Sequence, residues 1–212
     1  MNHSTAELIA IAGHYFYAGF TEEDAHDNEQ FNRRKKESLE YARLQEVCAG
    51  ASADYERWRA MLRRIVERFP EERFPNEGIQ NESLAFQSPT AGQTDRCFSG
   101  CLWLPVHGPH EKARKLGFRI SFVVPYYVIY SSRLVYLAEP AEFFDCDHEL
   151  SFDISPEDLP FSKGIAEEIE ATFPGHMPMP PEVGKVIVPG VAPDNRLPGK
   201  ATLFDCLFSD NW

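Results

Sequence analysis

The chain has few of the features that usually announce a function. It contains no Gly-x-Ser-x-Gly turn for a nucleophilic serine and no Gly-x-x-x-x-Gly-Lys loop to cradle a phosphate. Positive charge is scarce, with 21 Lys and Arg against 33 Asp and Glu, a formal net charge of −12. That balance argues against a general affinity for nucleic acid or anionic lipid. Cysteine is sparse and odd in number, at 48, 97, 101, 146 and 206, which suits reduced thiols in a cytoplasm better than a disulfide framework. Long apolar runs are missing: the best candidate, Leu116 to Tyr130, is interrupted by Arg119 and Pro125. The first residues have no basic segment, and Glu7 breaks their apolar run, so no secretory leader is expected. No internal repeat or low-complexity tract is visible.

What is present is enough to build a core. A chain of 212 residues hides roughly 70% of its unfolded surface on folding and needs no disulfide or metal to do so. The 16 Phe and 8 Tyr favour a packed, β-rich interior. Residues 1 to about 75 read as helical. Ser4 caps a first helix through Leu8, Ile9, Ile11, Ala12, Tyr15 and Phe16. Thr21, with Asp24 three residues on, starts a second segment whose apolar stripe is only Phe31, Leu39, Leu44 and Val47. Ser52 caps a third, where Tyr55, Trp58, Leu62, Ile65 and Phe69 share a face until Pro70 and Pro75.

From 76 the pattern changes to short apolar runs between turns. Cys97 to Leu104 forms a strand. Phe118, Ile120, Phe122 and Val124 share one side of another, which Pro125 ends. Tyr126 to Tyr130 and Leu134 to Leu137 are expected as separate pieces, split at Ser131-Ser132-Arg133, in an antiparallel meander. Leu150, Phe152 and Ile154 alternate as a strand. Ser155-Pro156-Glu157-Asp158 then opens a helix near 156–173, with Phe161, Ile165, Ile169 and Phe173 on one face. Seven prolines follow between 174 and 198, and Val183 to Val188 and Ala201 to Phe208 read as two final strands. The expected fold is α+β: N-terminal helices (1–75) packed on a mainly antiparallel sheet within a β-rich part (76–212), as one compact domain.

The charge is unevenly spread. Between Glu139 and Glu170 lie eleven carboxylates and one lysine, which accounts for ten of the twelve net negative charges. Such a concentration either solvates a surface or steers a basic partner. Asp145, Asp147, Glu149, Asp153, Glu167 and Glu170 are the candidate contacts, with Phe143 and Phe144 as apolar anchors inside the charged rim. Opposed to it is the stripe Arg57, Arg59, Arg63, Arg64 and Arg68, a candidate nucleic-acid face that, with Glu56 and Glu67 among the arginines in an acidic molecule, reads instead as a solvated face or as an internal partner of the acidic segment.

Chemistry has weaker candidates. Cys97, Cys101, His107 and His110 offer soft donors for zinc, yet the two cysteines stand about 13 Å apart on a straight strand and would need a bend at Gly100. Asp145-Cys146-Asp147-His148-Glu149 mixes hard and soft ligands and has no glycine for a calcium loop. The remaining histidines lie in unrelated settings. Met177-Pro178-Met179-Pro180-Pro181 is either a polyproline ligand or a rigid connection.

Three segments carry a resemblance: Leu116-Gly117-Phe118-Arg119-Ile120-Ser121-Phe122, Tyr126-Tyr127-Val128-Ile129-Tyr130 and Ala201-Thr202-Leu203-Phe204-Asp205-Cys206-Leu207-Phe208. They resemble bacterial cytoplasmic proteins of the immunity type, which neutralise polymorphic toxins. The resemblance spans about the last half of the chain and implies a toxin domain as partner. It carries over no catalytic or binding residue. The expected function is an acidic cytoplasmic binding protein that blocks a basic toxin domain stoichiometrically, without cofactor, metal, nucleic acid or membrane. The alternative is a small metal- or Cys/His-dependent enzyme.

Overall fold

A five-stranded sheet divides the molecule into two cores. The computed structural model describes residues 3–21, 28–69, 96–105, 111–136, 146–193 and 196–209. Four strands run antiparallel in chain order: β1 (Cys97–Leu104), β2 (Glu111–Ser121), β3 (Tyr126–Tyr136) and β4 (Cys146–Ser151). A two-residue strand, β5 (Met177–Pro178), lies parallel to the start of β3. The helices are α1 (Thr5–Tyr15), α2 (Asn28–Lys36), α3 (Leu39–Ala51), α4 (Tyr55–Arg68), α5 (Leu159–Thr172) and the short α6 (Pro181–Gly184) and α7 (Leu203–Leu207). The fold is α+β.

The period of two along each strand sends alternate side chains to opposite faces. Phe98, Leu102 and Leu104 of β1, Leu116, Phe118 and Ile120 of β2 and Tyr127 of β3 meet α4 and α5. Trp58, Met61 and Ile65 of α4 and Ile165 and Ile169 of α5 complete that core. Cys97, Tyr126, Val128 and Tyr130 face the other way, onto Leu8 and Ala12 of α1, Leu44 and Cys48 of α3 and the closing residues Leu203 to Phe208. With layers on both sides, Arg119 and Ser121 are buried although they oppose the first apolar stripe. Each fully buried aliphatic or aromatic side chain contributes about 1.5–3 kcal/mol.

Several local expectations hold. Ser4 accepts from the Glu7 amide, and Glu7 accepts in return from the Ser4 amide and hydroxyl, a complete capping box. The hydrogen bonds that Glu7 receives from Ser4 hold its carboxyl below the usual range. Ile165, Ile169 and Phe173 are buried on one face of α5.

Others change. The segment after Thr21 is two helices, because Ser38 ends α2 and caps α3 by accepting from the Tyr41 amide. The Thr21–Asp24 cap and the prolines at 70 and 75 fall outside the described residues. Ser52 does not cap α4: it opens a 3-10 turn, and its hydroxyl donates back to the Ala49 carbonyl. Strand β3 runs unbroken through Ser131-Ser132-Arg133, since β4 pairs with that stretch and both serines are buried. β4 stops at Ser151, so Phe152 and Ile154 leave the strand, and Phe152 stacks on Phe204 at 4.4 Å. Helix α5 starts at Leu159, after a turn in which the Asp158 amide donates to the Ser155 carbonyl. The two final strands are absent among the described residues. In their place stand α6, a single Ile187–Thr202 bridge and α7. The reason is a second capping box. Thr202 accepts from the Asp205 amide, and Asp205 accepts from the Thr202 amide and hydroxyl.

Candidate functional site

The described carboxylates of the acidic stretch do not share one outward face. Helix α5 packs along α4, and Gly164 permits the approach: a Cβ there would lie 2.4 Å from the Phe69 ring. This closeness brings the α5 carboxylates to the arginines of α4. Glu167 accepts from Arg68 at 2.5 Å, and Glu168 from Arg64 at 2.8 Å. Arg64 also donates to Thr172, at 2.5 Å. Glu170 accepts from the Tyr127 hydroxyl at 2.7 Å, and burial together with that carboxylate pushes the Tyr127 phenol upward. Asp158, fully buried, pairs with the buried Arg114 and accepts from Ser155, while Glu157 lies 3.6 Å from Arg114. The reading of Glu167 and Glu170 as free contacts is therefore narrowed: both are engaged by the chain's own residues.

Glu149 and Asp153 remain. Both are exposed, Glu149 on β4 opposite Arg133 and Asp153 just beyond its end. Asp147 lies on β4 opposite Val135. Asp145, Phe143 and Phe144 fall outside the described residues. The arginine stripe is largely matched, since Arg57 meets Asp54 at 3.2 Å and Arg59 meets Glu56 at 3.3 Å, besides the α5 pairs. A nucleic-acid face on α4 has little free charge to use.

The zinc-like group is not assembled by what is visible. Cys97 and Cys101 are buried on a continuous strand opposite Ser121 and Gly117. Gly100 makes no bend. It makes room for an aromatic ring instead, because a Cβ there would stand 2.7 Å from Phe118. His107 and His110 lie outside the described residues. Among the described residues no three His, Cys, Asp or Glu side chains gather to hold a metal ion. Met177 and Pro178 are taken up by β5, and Met179 is buried, so the proline segment is an ordered connection and not a free ligand. No described helix is long and apolar enough to cross a membrane.

A cleft of about 420 Å3 opens between the end of α3, the turn joining β2 to β3 and the residues after α5. Val47, Phe98, Ile120, Phe122, Pro125 and Phe173 supply apolar walls, and Asp54 and His176 supply the ionisable groups. His176 Nδ1 lies 3.2 Å from the Phe173 carbonyl. Burial lowers the His176 pKa, and the Arg57 charge adds to that, against the opposing pull of the Phe173 and Ser121 backbone and of Asp54. The signal in the sequence was the run Ala49-Gly50-Ala51-Ser52-Ala53, small residues that leave space where a helix ends. Compared with protein-family models, with curated proteins and with solved structures, the chain gives no match.

Proposed function

We propose that this protein is an acidic binding protein of the immunity type, which neutralises a cognate bacterial toxin domain in the cytoplasm by stoichiometric occlusion. The observation that carries the reading is the charge that remains outward after the internal pairs are counted. Glu149 and Asp153 are exposed on and beside β4, in a chain of net charge −12. Negative charge displayed in this way accelerates encounter with a basic cleft and disfavours partners that are themselves acidic. Acidic residues on an outer strand also discourage edge-to-edge aggregation, so the patch suits a partner that brings positive charge.

The test begins with the reading frames that flank this gene: one that encodes a toxin domain supports the reading and supplies the partner, and none that does counts against it. Purified together, the protein and that partner should form a complex of fixed stoichiometry, and co-expression should restore growth of cells that produce the toxin. Changing Glu149→Lys and Asp153→Lys together should slow association at low salt at least tenfold and flatten its dependence on ionic strength. An association rate unmoved by the double reversal would remove the β4 patch from the interface. Absence of any complex would remove the function.

A further inference from the structure

We propose that the outer edge of β4 takes up one extended segment of the protein partner as a further antiparallel strand, with lysine or arginine at alternate positions. The inference deepens the inhibitory reading and rests on its choice of the β4 surface.

The hydrogen-bond phase of the sheet opens this edge. The amides of Met177 and Met179 donate to the carbonyls of Pro125 and Tyr127, so the odd-numbered residues of β3 turn their main-chain groups to the side of β5 and β4. The pairing of β3 with β4 runs without a register shift, so Ser131, Arg133 and Val135 bond to Ser151, Glu149 and Asp147. Main-chain groups alternate in direction along a strand, and His148 and Leu150 therefore point theirs away from β3. The Leu150 amide and carbonyl find no partner among the described residues, in which no strand lies beyond β4. β4 has no proline and no bulge, so these groups stand ready to continue the ladder.

Side chains choose the strand. Glu149 is exposed and forms no ion pair among the described residues. Arg133, directly across on β3, offsets part of its charge, and Asp153 adds to it just past the strand end. Leu150 turns to the other face, where it is half-buried against the core of α1, α3 and α7. An added strand places one residue beside Glu149 and the next beside Leu150. Opposite charges across strands attract and like charges repel. The edge accordingly accepts a cation beside Glu149 and an apolar side chain beside Leu150, while a second copy of β4 brings carboxylates of its own.

The test needs no toxin. Amide exchange in the full chain is followed by NMR, alone and with a blocked heptapeptide of alternating lysine and valine at millimolar concentration. In the free protein the Leu150 amide should exchange at least about tenfold faster than that of Glu149, which is bonded to β3. The alternating peptide should slow the Leu150 and His148 amides about tenfold and leave Glu149 unchanged. The same residues in block order carry equal charge and should give no protection. Glu149→Lys should weaken the alternating peptide about fivefold and favour a glutamate–valine heptapeptide. Leu150→Pro removes only an outward amide, where an edge strand tolerates proline, and should abolish the protection of His148. Its circular dichroism spectrum checks the fold, and Glu149→Lys carries the test if that spectrum is lost. A Leu150 amide as slow as that of Glu149 in the free protein, equal protection by the block peptide, or no protection by the alternating one would overturn the proposal. Failure to find a toxin complex would instead remove the inhibitory function and leave the peptide result as it stands.

Discussion

Arg114 and Asp158 are both nearly inaccessible, with side-chain exposures of 2% and 0%, so neither charge can fall back on water if the other is removed. Asp158→Ala should cost about 3–5 kcal/mol, and the paired replacement Arg114→Met with Asp158→Leu should recover much of that loss. Urea denaturation of the two variants compares them directly. His176 gives a pH signature. Its folded pKa lies below the unfolded value of 6.5, so the unfolded chain takes up the proton first as pH falls. The stabilisation from the neutral ring is present above pH 6.5 and declines as pH drops from 6.5 towards the folded pKa. Thermal midpoints of the wild type and His176→Gln should therefore converge on acidification through that window. Parallel curves would mean that the ring's burial contributes nothing to the pH dependence. Little of this was legible in the sequence: Asp158 looked like a helix-start acid, and Arg114 is 44 positions away from it.

Among elements, the periodicities of two and 3.6 located β1, β2, α4 and α5 because each buries one repeating face. They failed where a local polar interaction competed with the apolar pattern. Ala201 to Phe208 has the composition of a strand, yet the Thr202–Asp205 box gives its first turn two satisfied amides as a helix. Thr202→Ala should destabilise the protein by about 1 kcal/mol in urea titrations. Asp205 also accepts from Arg196 at 3.1 Å through the same carboxylate, so Asp205→Ala should cost clearly more than the threonine change, while the bond from Arg96 to its main-chain carbonyl is kept. The contact between α4 and α5 behaves differently. Its ion pairs Arg68–Glu167 and Arg64–Glu168 are partly exposed, with arginine exposures of 39% and 44%. Glu167→Gln should shift stability by less than about 1 kcal/mol, whereas Ile165→Ala, wholly buried in the same helix, should cost about 2–5 kcal/mol. That contrast assigns the packing of α5 to its apolar face and leaves the ion pairs to orient it.

For the whole molecule, the described carboxylates of the 32-residue acidic stretch have two fates. Glu157, Asp158, Glu167 and Glu168 meet Arg64, Arg68 and Arg114, and Glu170 accepts from Tyr127, while Glu149 and Asp153 face solvent. The long-range field should thus respond more to reversal on β4 than to neutralisation on α5, and stopped-flow association with a model basic protein at two salt concentrations separates the two. The sequence by itself determined the α+β class, the antiparallel meander, the buried stripes of α4 and α5 and the total charge, because these depend on composition and on spacings of two to four residues. Only the tertiary structure decided which carboxylates are free, that Arg114 and Asp158 share an interior, and that a cleft opens beside His176. Each of those follows from bringing together residues tens of positions apart, and pairwise distance in space is not written in local spacing.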